Sequence, residues 1–136
     1  MTSPYGSTSG TDSRESRPLM EGLMAFSLTA ELDTLRSEDQ WVDGDRNSRT
    51  LAKDVDFRVL LTVLHAGATV DEQDGDARVS IQLLEGRGQL TVADQMTDID
   101  AGGLVVVDAG QSWYLRAMDD CAVLLTFAWP REKAGV

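Results

Sequence analysis

The sequence predicts an all-β domain, a sandwich or barrel of short strands preceded by one short helix. Three observations predict it. From residue 49 onward, short runs rich in Val, Ile, Leu, Thr, Phe and Trp are separated by turns centred on Gly and Asp. No helical pattern long enough to cross over a sheet lies between those runs, which disfavours a parallel α/β arrangement. The stretch with a helical apolar period lies upstream of them. A length of 136 residues, 42% apolar content and three prolines suit one domain with a modest core.

Residues 1–22 are dominated by Ser, Thr, Gly, Asp and Arg, with few apolar side chains to offset the entropy of ordering. They read as a disordered tail ahead of a single domain over 23–136. Met1, Met20 and Met24 all stay open as translation starts. The spacing then predicts a helix over 28–39: Leu28, Leu32 and Leu35 share a face, Thr29 stands as N-cap, and Glu31, Asp33, Arg36 and Glu38 point outward. Trp41 extends the apolar face, and 42–47 is a polar connection without periodicity. Eight strands follow, at 50–53, 57–65, 77–84, 88–92, 97–99, 103–107, 112–117 and 121–129. Their turns are Ala66-Gly67, Asp74-Gly75-Asp76, Glu85-Gly86-Arg87-Gly88, Ala101-Gly102-Gly103, Ala109-Gly110 and Asp119-Asp120.

Charge and residue usage exclude several classes of function. Twenty-three acidic against twelve basic residues give a net charge of −11, which repels a phosphate backbone and an anionic membrane surface alike, so neither nucleic acid nor membrane is an expected partner. One cysteine, Cys121, makes no internal disulfide. There is no long apolar span and no basic-then-apolar leader pattern, so the expected location is the cytoplasm. With His65 as the only histidine, the imidazole and thiolate ligands favoured by transition metals are nearly missing.

The run 64–129, above all QLLEGRGQLTV (82–92) and AGGLVVVDAGQSWYL (101–115), resembles a small single-domain cupin. The family's first motif is a glycine, five residues, His-x-His, three or four residues, a glutamate, six residues and a glycine. Gly67 and Gly86 occupy its ends, Gln73 and Gly75 fall on the two histidine positions and Val79 on the glutamate. In the second motif Gly102 and Asp108-Ala109-Gly110 match the turns, Trp113 stands where the histidine belongs, and Ala117 stands at the asparagine position. The resemblance implies a cupin-type double-stranded β-helix, a jelly-roll barrel, with a degenerate metal site. Dimerisation is also implied, and open β-edges need cover in any case.

In that register Val79, Ile81 and Leu83 face the interior while Ser80 and Gln82 face out; Trp113, Leu115 and Ala117 face in while Tyr114 and Arg116 face out. Trp113 either plugs the core or stacks on a flat ligand, with Gln73 or Asp108 as acceptor for its indole N–H. The pocket candidates are therefore Gln73, Val79, Ile81, Leu83, Asp108, Trp113 and Leu115, with no metal ligand among them. His65 reads as structural or surface, the acidic group Asp71, Glu72, Asp74 and Asp76 as a solvated turn, and Cys121 as a buried small hydrophobe. No nucleophile elbow and no phosphate-binding glycine loop is present.

The expectation is a metal-free module, without cofactor, that binds a small molecule or another protein, as a homodimer. The alternative is a cupin-type enzyme, a metal-dependent oxygenase or isomerase, with atypical ligands drawn from His65, Gln73 and the acidic group. Metal-free acid–base catalysis would rest on Asp108.

Overall fold

The computed structural model describes residues 22–72 and 75–130. Among these, α1 (Leu28–Ser37) and a single turn, α2 (Asp39–Val42), precede nine strands. The strands are β1 (Arg46–Asp54), β2 (Phe57–Leu64), β3 (Thr69–Glu72), β4 (Arg78–Glu85), β5 (Arg87–Val92), β6 (Gln95–Asp100), β7 (Leu104–Val107), β8 (Trp113–Ala117) and β9 (Cys121–Ala128). They form a five-stranded sheet in the order β1-β2-β9-β4-β7 and a four-stranded sheet in the order β3-β8-β5-β6, with antiparallel pairing throughout.

The two-residue period of each strand decides which side chains meet between the sheets. Directly opposed residues of antiparallel strands share a face, so register builds rows across the five-stranded sheet. One row is Arg58, Phe127, Val79 and Val107; the next is Leu60, Leu125, Ile81 and Val105; a third holds Thr62, Val123 and Leu83. From the other sheet Leu90, Ile99, Trp113, Leu115 and Ala117 close over them, completing the principal core.

A second core lies on the outer face. Strand β2 is apolar on both sides: Leu60 and Leu64 pack inward, while Leu61 and Val63, both fully buried, pack with Leu51 and Ala122 against Leu32 and Leu35 of α1. Polar side chains of β1 fasten the helix there. Arg49, 6% exposed, pairs with the buried Glu31 carboxylate and reaches Glu38 at 3.5 Å, while Asn47 donates to the Leu35 carbonyl and to Glu38 Oε1, both at 2.9 Å.

Several local expectations are corrected. Ser27 caps α1, in place of Thr29, its hydroxyl accepting the Ala30 N–H at 3.2 Å. The helix stops at Ser37 and not at 39, because Glu38 is extended (φ −91°, ψ 155°) with its carboxylate turned onto Asn47 and Arg49. Glu31 is buried where the pattern placed it outward, since Arg49 offers it a partner. Strand β1 begins at Arg46, inside the segment read as a connection; its polar residues Asn47 and Arg49 face the helix. Strand β3, with two acids in four residues, has Val70 as its one apolar side chain, yet it pairs with β8 along its length. The expected tail falls outside the described residues.

Removing one member of a buried ion pair leaves the other desolvated and uncompensated. Arg49→Met is expected to lower unfolding free energy by about 3–5 kcal/mol in urea denaturation. Adding Glu31→Leu should recover much of the loss, because the Glu38 carboxylate that remains still accepts from Asn47.

Candidate functional site: a filled interior and an open flank

The glycines that carry the motif spacing all lie at turns with positive φ: Gly67 at 91°, Gly86 at 88°, Gly102 at 89° and Gly110 at 88°. That backbone region disfavours any residue with a Cβ, so the spacing reports turn geometry and survives loss of the side chains between the glycines. At Gly86 the constraint is doubled, since a Cβ would meet the Asp120 carbonyl oxygen as well as Cys121 Sγ at 3.0 Å.

The interior at the positions that the resemblance aligns with metal ligands is full. Val79 and Trp113 are 2% and 3% exposed, and Ile81, Leu83 and Leu115 are fully buried with them in the core. Trp113 sits in register opposite Val92. Asp108 does not serve its indole: that carboxylate accepts the Ala109 N–H and Arg78 Nε, each at 2.8 Å. Gln73 lies outside the described residues. A valine, a tryptophan and a side-chain-free glycine at Gly75 supply no strong metal donor, so the described residues at these positions do not fit a transition metal. No group of three or more His, Cys, Asp or Glu side chains is placed to hold a metal among the described residues.

The remaining titratable candidates are occupied with structure. The His65 ring stacks on Trp41 with centroids 3.5 Å apart, places Nε2 2.9 Å from the Trp41 carbonyl, and sets Nδ1 3.5 Å from Asp120. It follows Leu64 at the end of β2, seven residues from Arg58, which shares a row with Val79; at strand rise the two ends lie roughly 20 Å apart. Cys121 Sγ donates to the Arg87 and Asp119 carbonyls at 3.1 Å, and burial pushes its thiol pKa up, away from the nucleophilic thiolate.

An open volume lies at the side of the sandwich, distinct from a shallower, more polar one beside α2 (Ser37 to Gly44). A cleft of about 510 Å³ runs between β5–β6 and β7, floored by Leu90, Val92, Val105 and Val107, walled by Met96 and Thr97, and rimmed by Gln95, Asp108 and Gln111. Its floor is tied to the sequence-derived candidates by cross-strand pairs, Val105 opposite Ile81 and Val107 opposite Val79. Among the described members of that candidate set, Asp108 alone lines the cleft itself. The Ala109 N–H, and next the Arg78 guanidinium, hold the Asp108 carboxyl below the usual carboxylate range, so at this point the rim carries an ionised carboxylate paired with Arg78.

No family model and no curated protein matches the chain. Solved structures do. A cupin superfamily protein from Desulfitobacterium hafniense is similar at 19% identity and a TM-score of 0.60, over 62% of this chain and 78% of its own. Ectoine synthase from P. lautus is similar at 23% identity and a TM-score of 0.55, over 63% of this chain and 65% of its own. Salicylate 1,2-dioxygenase from Pseudoaminobacter salicylatoxidans is similar at 14% identity and a TM-score of 0.66, over 76% of this chain but 32% of its own. At these identities the shared property is the fold.

Trp113→Ala removes the largest side chain from the filled interior. Denaturant unfolding should show a loss of about 3–5 kcal/mol, from lost burial plus a residual cavity. A loss below about 1 kcal/mol would mean that the indole does not hold the sheets together.

Proposed function

From a cupin barrel with this interior, we propose a metal-free module that binds a small organic molecule in the cleft between β6 and β7. The observation that supports it is a displacement of free space. Val79 and Trp113 fill the positions where a cupin holds metal, while a volume within the usual range of ligand sites opens beside them. An apolar floor with a few polar groups at the rim is the composition of a small-molecule pocket. The ionised Asp108 and the Gln95 and Gln111 amides select for a ligand with an apolar body and a hydrogen-bond donor, neutral or cationic, in keeping with a chain of net charge −11.

The reading also has two copies of the chain associating. Among the described residues β7 has no strand on its outer side, and Leu104 and Val106 are more than half exposed, at 61% and 67%. An apolar edge of that kind is costly to leave open.

The cleft is tested by NMR titration of the full chain against a set of small soluble fragments. Saturable shifts are expected at Val92, Thr97, Val105 and Gln111. Thr97→Trp, at an exposed position, should abolish them with little change in thermal midpoint. Fragments that bind equally well to the Thr97→Trp protein, or that shift none of these amides, would overturn the assignment.

A further inference from the structure

On the opposite flank the interior face of the five-stranded sheet changes character. The row that holds Val107, Val79 and Phe127 continues to Arg58 on β2 and Lys53 on β1. Toward the β1 edge this face opens to solvent: Leu60 and Thr50 are half-buried, and Ser48 and Lys53 are exposed. An apolar row therefore ends in two adjacent cations.

Arg58 is held by aromatic faces. Its guanidinium carbon lies 4.7 Å from the centre of the Phe127 ring and 5.4 Å from that of Trp129, rings that themselves stack 6.0 Å apart. Cation–π contact fixes the plane of the side chain without neutralising it. Its Nε is buried with no hydrogen-bond partner. Among the described residues neither Arg58 nor Lys53 enters an ion pair, whereas Arg36, Arg46, Arg49, Arg78 and Arg87 each hold a carboxylate. Of the two carboxylates in the turn between β1 and β2, Asp54 accepts the Val55 N–H and Asp56 is engaged elsewhere. In a chain with nearly twice as many acids as bases, two like charges left side by side across a strand pair are a local repulsion that a bound anion would relieve.

We propose that Lys53 and Arg58 form a binding site for a small monocarboxylate with a flat apolar body. The carboxylate would bridge the Lys53 ammonium and the terminal guanidinium nitrogens, as charge-assisted hydrogen bonds favour. The body would lie on the half-buried Trp129 and Leu60. A net charge of −11 penalises a polyanion far more than a singly charged ligand, which selects the class. The site lies across the sheet from the β6–β7 cleft and does not depend on it.

The test is an NMR titration of the full chain with benzoate at constant ionic strength, chloride replacing it in the control. Saturable shifts are expected at the Lys53 and Arg58 amides and the Trp129 indole N–H. Affinity should fall about tenfold or more in Lys53→Met and in Arg58→Gln, each removing a charge-assisted contact. It should be unchanged in Arg116→Gln, an exposed arginine on β8 facing the other way. If Arg58→Gln fails to fold, Lys53→Met decides, because its side chain is solvent-exposed. Absence of saturable shifts, the same shifts with chloride or inorganic phosphate, or unchanged affinity in Lys53→Met would overturn the proposal.

Discussion

The indole of Trp113 lies between the two sheets, and its packing decides what the barrel interior can do. With Val79 and Phe127 from the opposite sheet it occupies the space in which a cupin would gather metal ligands. Interiors are packed at near-crystalline density, so a buried tryptophan and a metal site with its ligand water do not share one small cavity. Ile81, Leu83, Leu115 and Leu125 continue the same packing along the strands, with Cys121 in the same buried cluster.

Filling the centre moves binding chemistry to the margins. The sandwich has two flanks, and they differ in charge. Along β6 and β7 the cleft is apolar and its rim carboxylate, Asp108, is paired with Arg78, while along β1 and β2 the face ends in Lys53 and Arg58. Two-sided burial of β2 couples the second flank to the rest of the fold. Leu61 and Val63 anchor that strand under α1, which fixes the direction in which Arg58, Leu60 and Thr62 point. The Arg49, Glu31 and Asn47 contacts that clamp the helix on β1 thereby hold Lys53 beside Arg58 as well.

Much of the fold was legible in the sequence, since its signals were local. Glycines spaced for left-handed turns, and strands such as 79–83 and 113–117 with strict alternation, give both the turns and the faces. What escaped were segments whose polarity is satisfied by distant partners. Asn47 and Arg49 look like loop residues until Leu35 and Glu31 are brought over them, and β3 is a strand through its pairing with β8 alone. The candidate site shows the same division. The inward set Val79, Ile81, Leu83, Trp113 and Leu115 is readable from period, yet it forms the layer behind the cleft, and of the described candidates Asp108 alone reaches the rim. Leu90, Val92, Val105 and Val107 border open space because two sheet edges diverge, a feature of tertiary geometry with no sequence period. The pairing of Lys53 with Arg58 depends on a register shift between Thr50 and Ala52, which residue spacing alone does not reveal.

In this cupin-like fold packed apolar side chains, Val79 and Trp113 among them, stand at the positions where the family's motifs place metal ligands. Elemental analysis together with native mass spectrometry of protein freshly purified without chelator tests the consequence most directly. The account predicts less than about a tenth of an equivalent of iron, zinc, nickel, copper or manganese, given the missing donors at Gly75, Val79 and Trp113. Near-stoichiometric transition metal would contradict it, because a ligand set would then exist where the packed core leaves no place for one.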